Sequence, residues 1–213
     1  MSDFELGIAA YNASSFYEAF EILLRVAKKG HIQAQKIIAN MYELGQGVES
    51  NTAETIKWYR LAAEQGDVVA QNNLASFLLD EQPEEAIKWY IVAAEQNFPF
   101  AQEVLGDIYS GKIGRSSVVM ERSRDYYQAF KWYQKAANHG FPLACHRLGE
   151  MYASGQGVAK NEEQAVKWYQ KAASNHYGIS QKILAQAYLE GLLGLPKDPA
   201  QAKYWLDKVK VNE

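Results

Sequence analysis

Residues Gly106 to Ile113 resemble a phosphate-binding loop, because GDIYSGKI fits the pattern G-x-x-x-x-G-K. Such a loop surrounds nucleotide phosphates with backbone N–H groups, and a Ser or Thr after the lysine binds magnesium. Ile113 stands at that position here, and the segment has the spacing of a helix face with no strand before it. We interpret the match as a coincidence and expect no nucleotide cofactor.

The four histidines and the single cysteine do not have the spacing of a zinc site. Cys145 and His146 are adjacent, so on a helix their side chains point apart, and a surface histidine beside a half-buried cysteine is expected. No neighbouring group is expected to activate the Cys145 thiol, and no G-x-S-x-G string offers a nucleophile. The sequence therefore predicts no catalytic site, no cofactor and no metal.

Composition narrows the classes of partner. The chain has 213 residues, a formal net charge of −3 and scattered lysines and arginines, which disfavours nucleic acid. It has no run of 18 apolar residues, so no membrane span is predicted. One cysteine excludes an internal disulfide, and the start MSDFELG lacks the pattern of a secretory signal. A cytoplasmic location is expected.

The string KWYQKAA occurs at residues 131–137 and again at 167–173, which indicates a structural repeat. Five tryptophans mark its copies: Trp58, Trp89, Trp132, Trp168 and Trp205. Seven residues before them stand Asn51, Gln82, Asp125, Asn161 and Asp198, of which four are good helix N-caps. Eight residues after the first four stand Gly66, Asn97, Gly140 and His176, which suit a left-handed helix end. Each tryptophan is thus expected midway along a helix, packed in the core beside small residues.

A second helix precedes each of these, beginning at Ala34, Ala70, Ala101, Ala144 and Ser180. Apolar residues at offsets +4 and +8 from these starts form one stripe of an amphipathic helix. The repeating unit is therefore two antiparallel helices, which must stack on neighbouring units to bury its stripe. We predict an all-α, right-handed α-solenoid of about six antiparallel helix pairs in one domain, with units at about 1–30, 31–66, 67–97, 98–140, 141–176 and 177–213.

The pattern A-Q-x-x-L-G-x-x-Y-x-x-G-x-G-V, followed by W-Y-x-x-A-A-x-x-G, resembles the Sel1-like repeat, a relative of the tetratricopeptide repeat. The fifth unit carries most of it, with Leu148, Gly149, Tyr152, Gly155, Gly157, Val158, Ala165, Trp168, Tyr169, Ala172 and Ala173. The resemblance implies an adaptor that holds a partner protein. Some bacterial members are similar to immunity proteins that neutralise secreted toxins, which is the alternative function. Secreted members often pair two cysteines per repeat, so a single cysteine favours an intracellular member.

The loop between helices differs in two units. The third unit is compressed to LLDEQP, and the fourth is expanded through residues 111–124. That expanded loop contains Lys112, Arg115, Arg122 and Arg124, and we predict that it contacts the partner. A solvated or self-packed loop is the alternative interpretation.

A partner is also expected on the polar face of the first helices, at offsets +2, +6 and +10. We define this polar face by Lys36, Asn40, Asn72, Ser76, Asp80, Glu103, Asp107, His146, Glu150, Lys182 and Gln186. Its acidic middle suggests a groove for a partner segment that is basic at its centre, although solvated charges are an equal alternative. The double variant Glu103→Lys/Asp107→Lys is accordingly expected to stay folded. An enzyme or a nucleic-acid binder is less consistent with these residues.

Overall fold

A computed structural model describes residues 1–113 and 124–211, with side chains through Val209. Arg115 and Arg122 of the predicted partner loop lie outside the described residues. Within them the chain forms twelve helices and no strand, which confirms the all-α prediction. The helices are α1 Asp3–Asn12, α2 Phe16–Lys28, α3 Ile32–Leu44, α4 Thr52–Glu64, α5 Val68–Leu78, α6 Pro83–Glu95, α7 Pro99–Ser110, α8 Tyr126–Asn138, α9 Pro142–Ser154, α10 Glu162–Ser174, α11 Gly178–Glu190 and α12 Pro199–Val211.

Local signals set the ends of these helices, as the sequence predicted. The side chains of Asn51, Asp125 and Asn161 each accept a hydrogen bond from a backbone N–H in the first turn. Gln82 makes no such bond, and Pro83 instead begins α6 without an unpaired N–H. The predicted end residues Gly66, Asn97, Gly140 and His176 all have positive φ angles, from 63° to 91°.

The chain divides into two compact units, Met1–Gln96 and Asn97–Glu213. In the N-terminal unit, α1 to α6 pack successively on one another around a shared hydrophobic core. In the C-terminal unit, α7 to α12 pack in the same successive manner. From α3 onward, odd-numbered helices are the first helix of a pair, here called helix A, and even-numbered helices are helix B.

The tyrosine of every Lys-Trp-Tyr string is deeply buried, whereas the tryptophan is deeply buried in the first string alone. Tyr133 is fully buried and Tyr169 is only 4% exposed, whereas the preceding Trp132 and Trp168 are partly exposed. The prediction that every tryptophan lies in the core therefore holds for Trp58, whereas Trp168 packs against the core from a partly exposed position. In the repeats of Trp132 and Trp168 the lysine three residues after the tryptophan places its ammonium over the indole ring.

Two glycines on the A helices make room for these tyrosines. A Cβ atom on Gly106 would lie 2.4 Å from the Tyr133 ring, and one on Gly149 would lie 2.6 Å from the Tyr169 ring. Such distances are far inside van der Waals contact, so any larger residue would displace the ring. The small residue at offset +5 is therefore required for the tyrosine to pass beneath helix A and reach its polar side.

Candidate partner-binding surface

The tyrosine hydroxyls reach the residue at offset +6 of the polar face. In the N-terminal unit, the Tyr59 hydroxyl donates a hydrogen bond to Asn40 Oδ1. In the C-terminal unit, the Tyr133 hydroxyl donates to Asp107 Oδ1 at 2.5 Å. Burial and the charge of Glu150 raise the pKa of Tyr169 to about 12. Offset +6 is thus a structural contact point within the helix pair as well as part of the polar face.

Asp107 is the clearest departure from the predicted solvent-exposed face. Its residue is only 7% exposed, and Arg147 Nε lies 3.3 Å from its carboxylate. Ser110 Oγ lies 3.0 Å from the same Tyr133 hydroxyl. The expectation that Asp107 lies on an exposed face is therefore wrong. We predict that Asp107→Lys destabilises the protein, because the substitution would place a second cation beside the Arg147 guanidinium.

Glu150 connects this cluster to the edge of the C-terminal unit. Arg147 donates to it at 3.1 Å and Lys112 donates at 3.0 Å. Burial would raise the pKa of Glu150, but bonds from His146 and Lys112 outweigh burial and lower that pKa to about 2. The acidic middle predicted from the sequence is thus offset by two basic side chains, which the offset pattern did not include.

Offset +2 connects consecutive A helices. Lys36 Nζ lies 3.0 Å from Asp67 Oδ2, and Asp67 also caps α5. The Glu103 carboxylate accepts a hydrogen bond from the Ala144 backbone N–H, in the first turn of α9. His146 Nδ1 lies 3.0 Å from Ser180 Oγ on α11. These residues join one repeat to the next.

His146 was expected at the surface, and that expectation is wrong. It is 3% exposed, and its ring lies 5.0 Å from the Tyr177 ring and 5.6 Å from the Tyr169 ring. Its Nε2 atom lies 3.6 Å from Glu150 Oε1. The sequence pattern missed this burial because His146 fills the space between α9 and α11. The periodicity of one helix does not show how closely a second helix packs against it.

The remaining predicted residues differ in exposure. Asn40 and Asn72 are half-buried, whereas Ser76 and Asp80 are exposed on the N-terminal unit. On the C-terminal unit, the exposed residues of the polar face are Lys182 and Gln186, joined at offset +10 by Ser154 and Glu190. Arg124 is exposed and lies beside Gly111 at the end of α7.

A cavity of about 220 Å³ lies beside the exposed part of this polar face. Its lining includes Ser110, Lys112, Tyr133, Glu150, Ser154 and Gln156. The cavity therefore joins the buried cluster to exposed residues of α9, and it is large enough for one or two amino-acid side chains.

The described residues can be compared with the arrangements that bind metals, supply a reactive thiol or span a membrane. Among them, no group of three His, Cys, Asp or Glu side chains is arranged to hold a metal ion. Burial raises the pKa of the Cys145 thiol, which disfavours the reactive thiolate. None of the helices within residues 1–113 and 124–211 is long and apolar enough to cross a membrane.

The family model of the Sel1 repeat matches residues 32–67, 68–98, 100–141, 142–177 and 179–208. The chain belongs to the Sel1 repeat family. Each matched segment contains all or nearly all of one A helix and most or all of the following B helix, so the match follows the helix pairs described above. Sel1 repeat proteins generally act as scaffolds for protein–protein interaction.

Solved structures of Sel1 repeat proteins have the same fold. A Sel1 repeat protein from Oxalobacter formigenes is 33% identical, with 99% of this chain and 85% of that chain covered and a TM-score of 0.86. The protective antigen c5321 of uropathogenic Escherichia coli strains is 30% identical, with a TM-score of 0.87. The match covers 98% of this chain but 45% of the antigen.

Two further similarities are weaker, because one covers a short segment and the other has low sequence identity. The exopolysaccharide production negative regulator of Rhizobium meliloti (strain 1021) is 40% identical over 63 residues, which cover 30% of this chain and 24% of the regulator. The chain thus spans less than half the length of both the regulator and the antigen. The immunity protein Pa5087 of Pseudomonas aeruginosa is 17% identical, with 97% of this chain and 82% of that chain covered and a TM-score of 0.54, and shares the fold alone.

Two residues central to the polar cluster were missed by sequence analysis, namely Arg147 and Tyr133. Arg147 stands at offset +3 from Ala144, outside the offsets assigned to the polar face. Tyr133 was visible as part of a repeated string, but the string was assigned wholly to core packing. The coincidence of a repeated tyrosine with a variable polar residue at offset +6 was the available signal.

Proposed function

We propose that the chain is an adaptor that binds a partner protein through the exposed residues of its polar face. The observation that supports this proposal is the contrast between the buried and the exposed residues of the polar face. Inner polar residues such as Asp107 and His146 are buried and occupied by contacts within the protein. Exposed residues such as Ser76, Asp80 and Gln186 differ in type from repeat to repeat, although the helix pairs on which they lie recur.

In the C-terminal unit the binding surface consists of the cavity rim and the adjoining exposed residues of α9 and α11. Ser154 lies on the cavity rim, and Gln186 is exposed on α11. Because Arg147 and Lys112 pair with Glu150, the surface offers a mixture of charges and hydroxyl groups. Polar recognition through hydrogen bonds fits this surface better than recognition of a purely basic segment.

Neutralising a toxin is the alternative role, and it would use the same surface. The immunity protein structures share only the fold with this chain, so the identity of the captured partner must distinguish the two roles. A cytoplasmic location is also proposed, on the support of the single buried Cys145.

The test is affinity capture from a lysate of the cells that produce the protein, followed by mass spectrometry. The variant Ser154→Arg/Gln186→Arg changes two exposed residues of the polar face. Gln134→Arg/Gln201→Arg is the matched control, since both residues are exposed on B helices. Loss of one stoichiometric partner in the first variant alone supports the polar face. Equal retention of that partner in both variants would exclude the polar face as the contact.

A further inference from the structure

The corners between helix B and helix A in the C-terminal unit differ from those in the N-terminal unit. We define the corner surface as residues 97–100, 135–143 and 171–179. The first two corners touch, because the Phe100 and Phe141 rings pack edge to face at 4.8 Å. The second and third are joined by Lys171, whose ammonium donates to the Ala137 carbonyl at 3.0 Å. The three corners therefore form one continuous surface.

Aromatic and aliphatic side chains stand out on this surface. Phe100 is 56% exposed and Ile179 is 55% exposed. Beside them, Phe98, Phe141 and Tyr177 are half-buried. Single exposed apolar residues are common on proteins, but an exposed phenylalanine packed edge to face against a second ring offers a preformed anchor for a partner side chain.

The charge of the corner surface is also distinct. Residues 135–143 and 171–179 contain no Asp or Glu but include Lys135 and Lys171. At the positions of these two lysines the N-terminal unit has Leu61 and Val92. Three positions later, that unit has glutamates where the C-terminal unit has Asn138 and Ser174. The change at both positions makes the second and third corners basic within a chain whose formal net charge is −3, whereas the first corner follows Val92 and Glu95 in the sequence.

The N-terminal ends of α7 and α11 add to this basic character, whereas the Glu103 carboxylate already lies at the first turn of α9. The N-cap residues of α7, α9 and α11 are Phe98, Phe141 and Tyr177, and none of them provides a capping side-chain hydrogen bond. In the N-terminal unit, His31 and Asp67 do provide one at the same point of the repeat. The N-terminal end of a helix carries partial positive charge, so it attracts negative groups.

We propose that the corner surface binds an acidic segment of a partner protein that also carries aromatic or aliphatic side chains. The proposal rests on the proposed function for the nature of the partner, but it assigns a different surface. Acidic groups of the segment would pair with Lys135 and Lys171 and face the helix ends. Its apolar side chains would pack on Phe100 and Ile179.

The probe is a short fluorescein-labelled peptide in which glutamate alternates with leucine and phenylalanine, with binding followed by fluorescence anisotropy at low salt. Phe100→Ser and Lys135→Glu should each weaken binding at least about tenfold, because anchor residues dominate such interfaces. Tyr127→Ser and Lys167→Glu are the matched controls, since both residues are exposed in the same unit but lie outside the corners. Binding to these controls should equal that of the wild type.

Failure of the peptide to bind the wild-type protein would overturn the proposal, and so would a control variant Lys167→Glu that weakens peptide binding as much as Lys135→Glu does. A labelled oligothymidine that binds more tightly than the peptide, and whose binding Lys135→Glu abolishes, would also overturn it. The last result would identify a nucleic-acid surface. The lysate capture reads out the proposed function independently. If the polar-face variant loses its partner while the peptide does not bind, only the corner surface is refuted. If the peptide binds at the corners while no partner depends on the polar face, only that face is refuted.

Discussion

Replacing Asp107 with lysine distinguishes a buried polar cluster from a solvated binding face. Asp107 accepts a hydrogen bond from the Tyr133 hydroxyl at 2.5 Å and lies 3.3 Å from Arg147 Nε. The lysine variant loses both contacts and introduces an ammonium next to the guanidinium. Since α7 and α9 meet at this cluster, the damage is expected in the C-terminal unit.

The contacts of Asp107 allow the loss in the free energy of unfolding to be estimated. A hydrogen bond to a charged group contributes about 1.5–3 kcal/mol to the free energy of unfolding, and breaking a buried ion pair costs about 3–5 kcal/mol. These values overlap rather than add, and Arg147 keeps its bond to Glu150 at 3.1 Å. We therefore expect a loss of about 3 kcal/mol for Asp107→Lys, against a total of about 5–15 kcal/mol for a typical domain. Tyr133→Phe, which removes only the hydroxyl, should cost about 1–2 kcal/mol.

Urea unfolding followed by circular dichroism measures these losses, and hydrogen exchange locates them. Amides of α7 and α9 should lose protection in Asp107→Lys, while those of α1 to α6 keep theirs, because repeats depend mainly on their neighbours. Gln186→Lys is the control, and as an exposed residue it should change stability by less than about 0.5 kcal/mol. An equally small change for Asp107→Lys would refute the buried cluster and restore Asp107 to the solvated face.

Three further predictions follow from the described residues. Gly149→Ala should destabilise by about 1–3 kcal/mol in urea unfolding because its Cβ would meet the Tyr169 ring, whereas Gly178→Ala, with open space around its Cβ, should not destabilise; equal effects would contradict this packing. Because the folded-state pKa of Glu150 is about 2, below the ordinary 4.5, its stabilising contribution should be complete above about pH 4.5 and decline as pH falls toward 2. Glu150→Gln should flatten that part of the stability profile, and an unchanged profile would refute the pairing. Cys145 should react with a thiol reagent at pH 8 far more slowly in the folded than in the urea-unfolded chain, since it is fully buried; fast native labelling would show that it is accessible.

The sequence predicted the helix pairs well because their ends depend on nearby residues. Asn161 caps α10 through the N–H of Gln164, three residues away. Gly140 ends the turn after α8 through its own backbone conformation. Such interactions lie within a few positions of the chain, so a fixed offset from each tryptophan was sufficient to find them.

The polar face was predicted less well, because periodicity shows which residues share a stripe but not what covers it. His146 and Lys182 both stand at offset +2, yet His146 is buried against α11 and Lys182 is exposed. Periodicity also failed to predict the hydrogen bonds at the repeat position that Cys145 occupies in the core. At this position Gln71 and Gln181 each donate to the backbone carbonyl eight residues earlier. In the Cys145 repeat that carbonyl belongs to Ala137, which lies 3.9 Å from the Cys145 sulfur and accepts a 3.0 Å hydrogen bond from Lys171 of the next helix B.

The sequence by itself therefore determined the repeat, the helix boundaries, the all-α class and the resemblance to the Sel1 family. Tertiary structure alone decided which polar residues are buried and which remain exposed for a partner. Tyr133 meets Asp107 across 26 positions of sequence, and His146 meets Ser180 across 34. Burial at such contacts depends on how closely neighbouring helices approach, and that distance is set jointly by the side chains of several repeats, including the glycines that let each tyrosine pass.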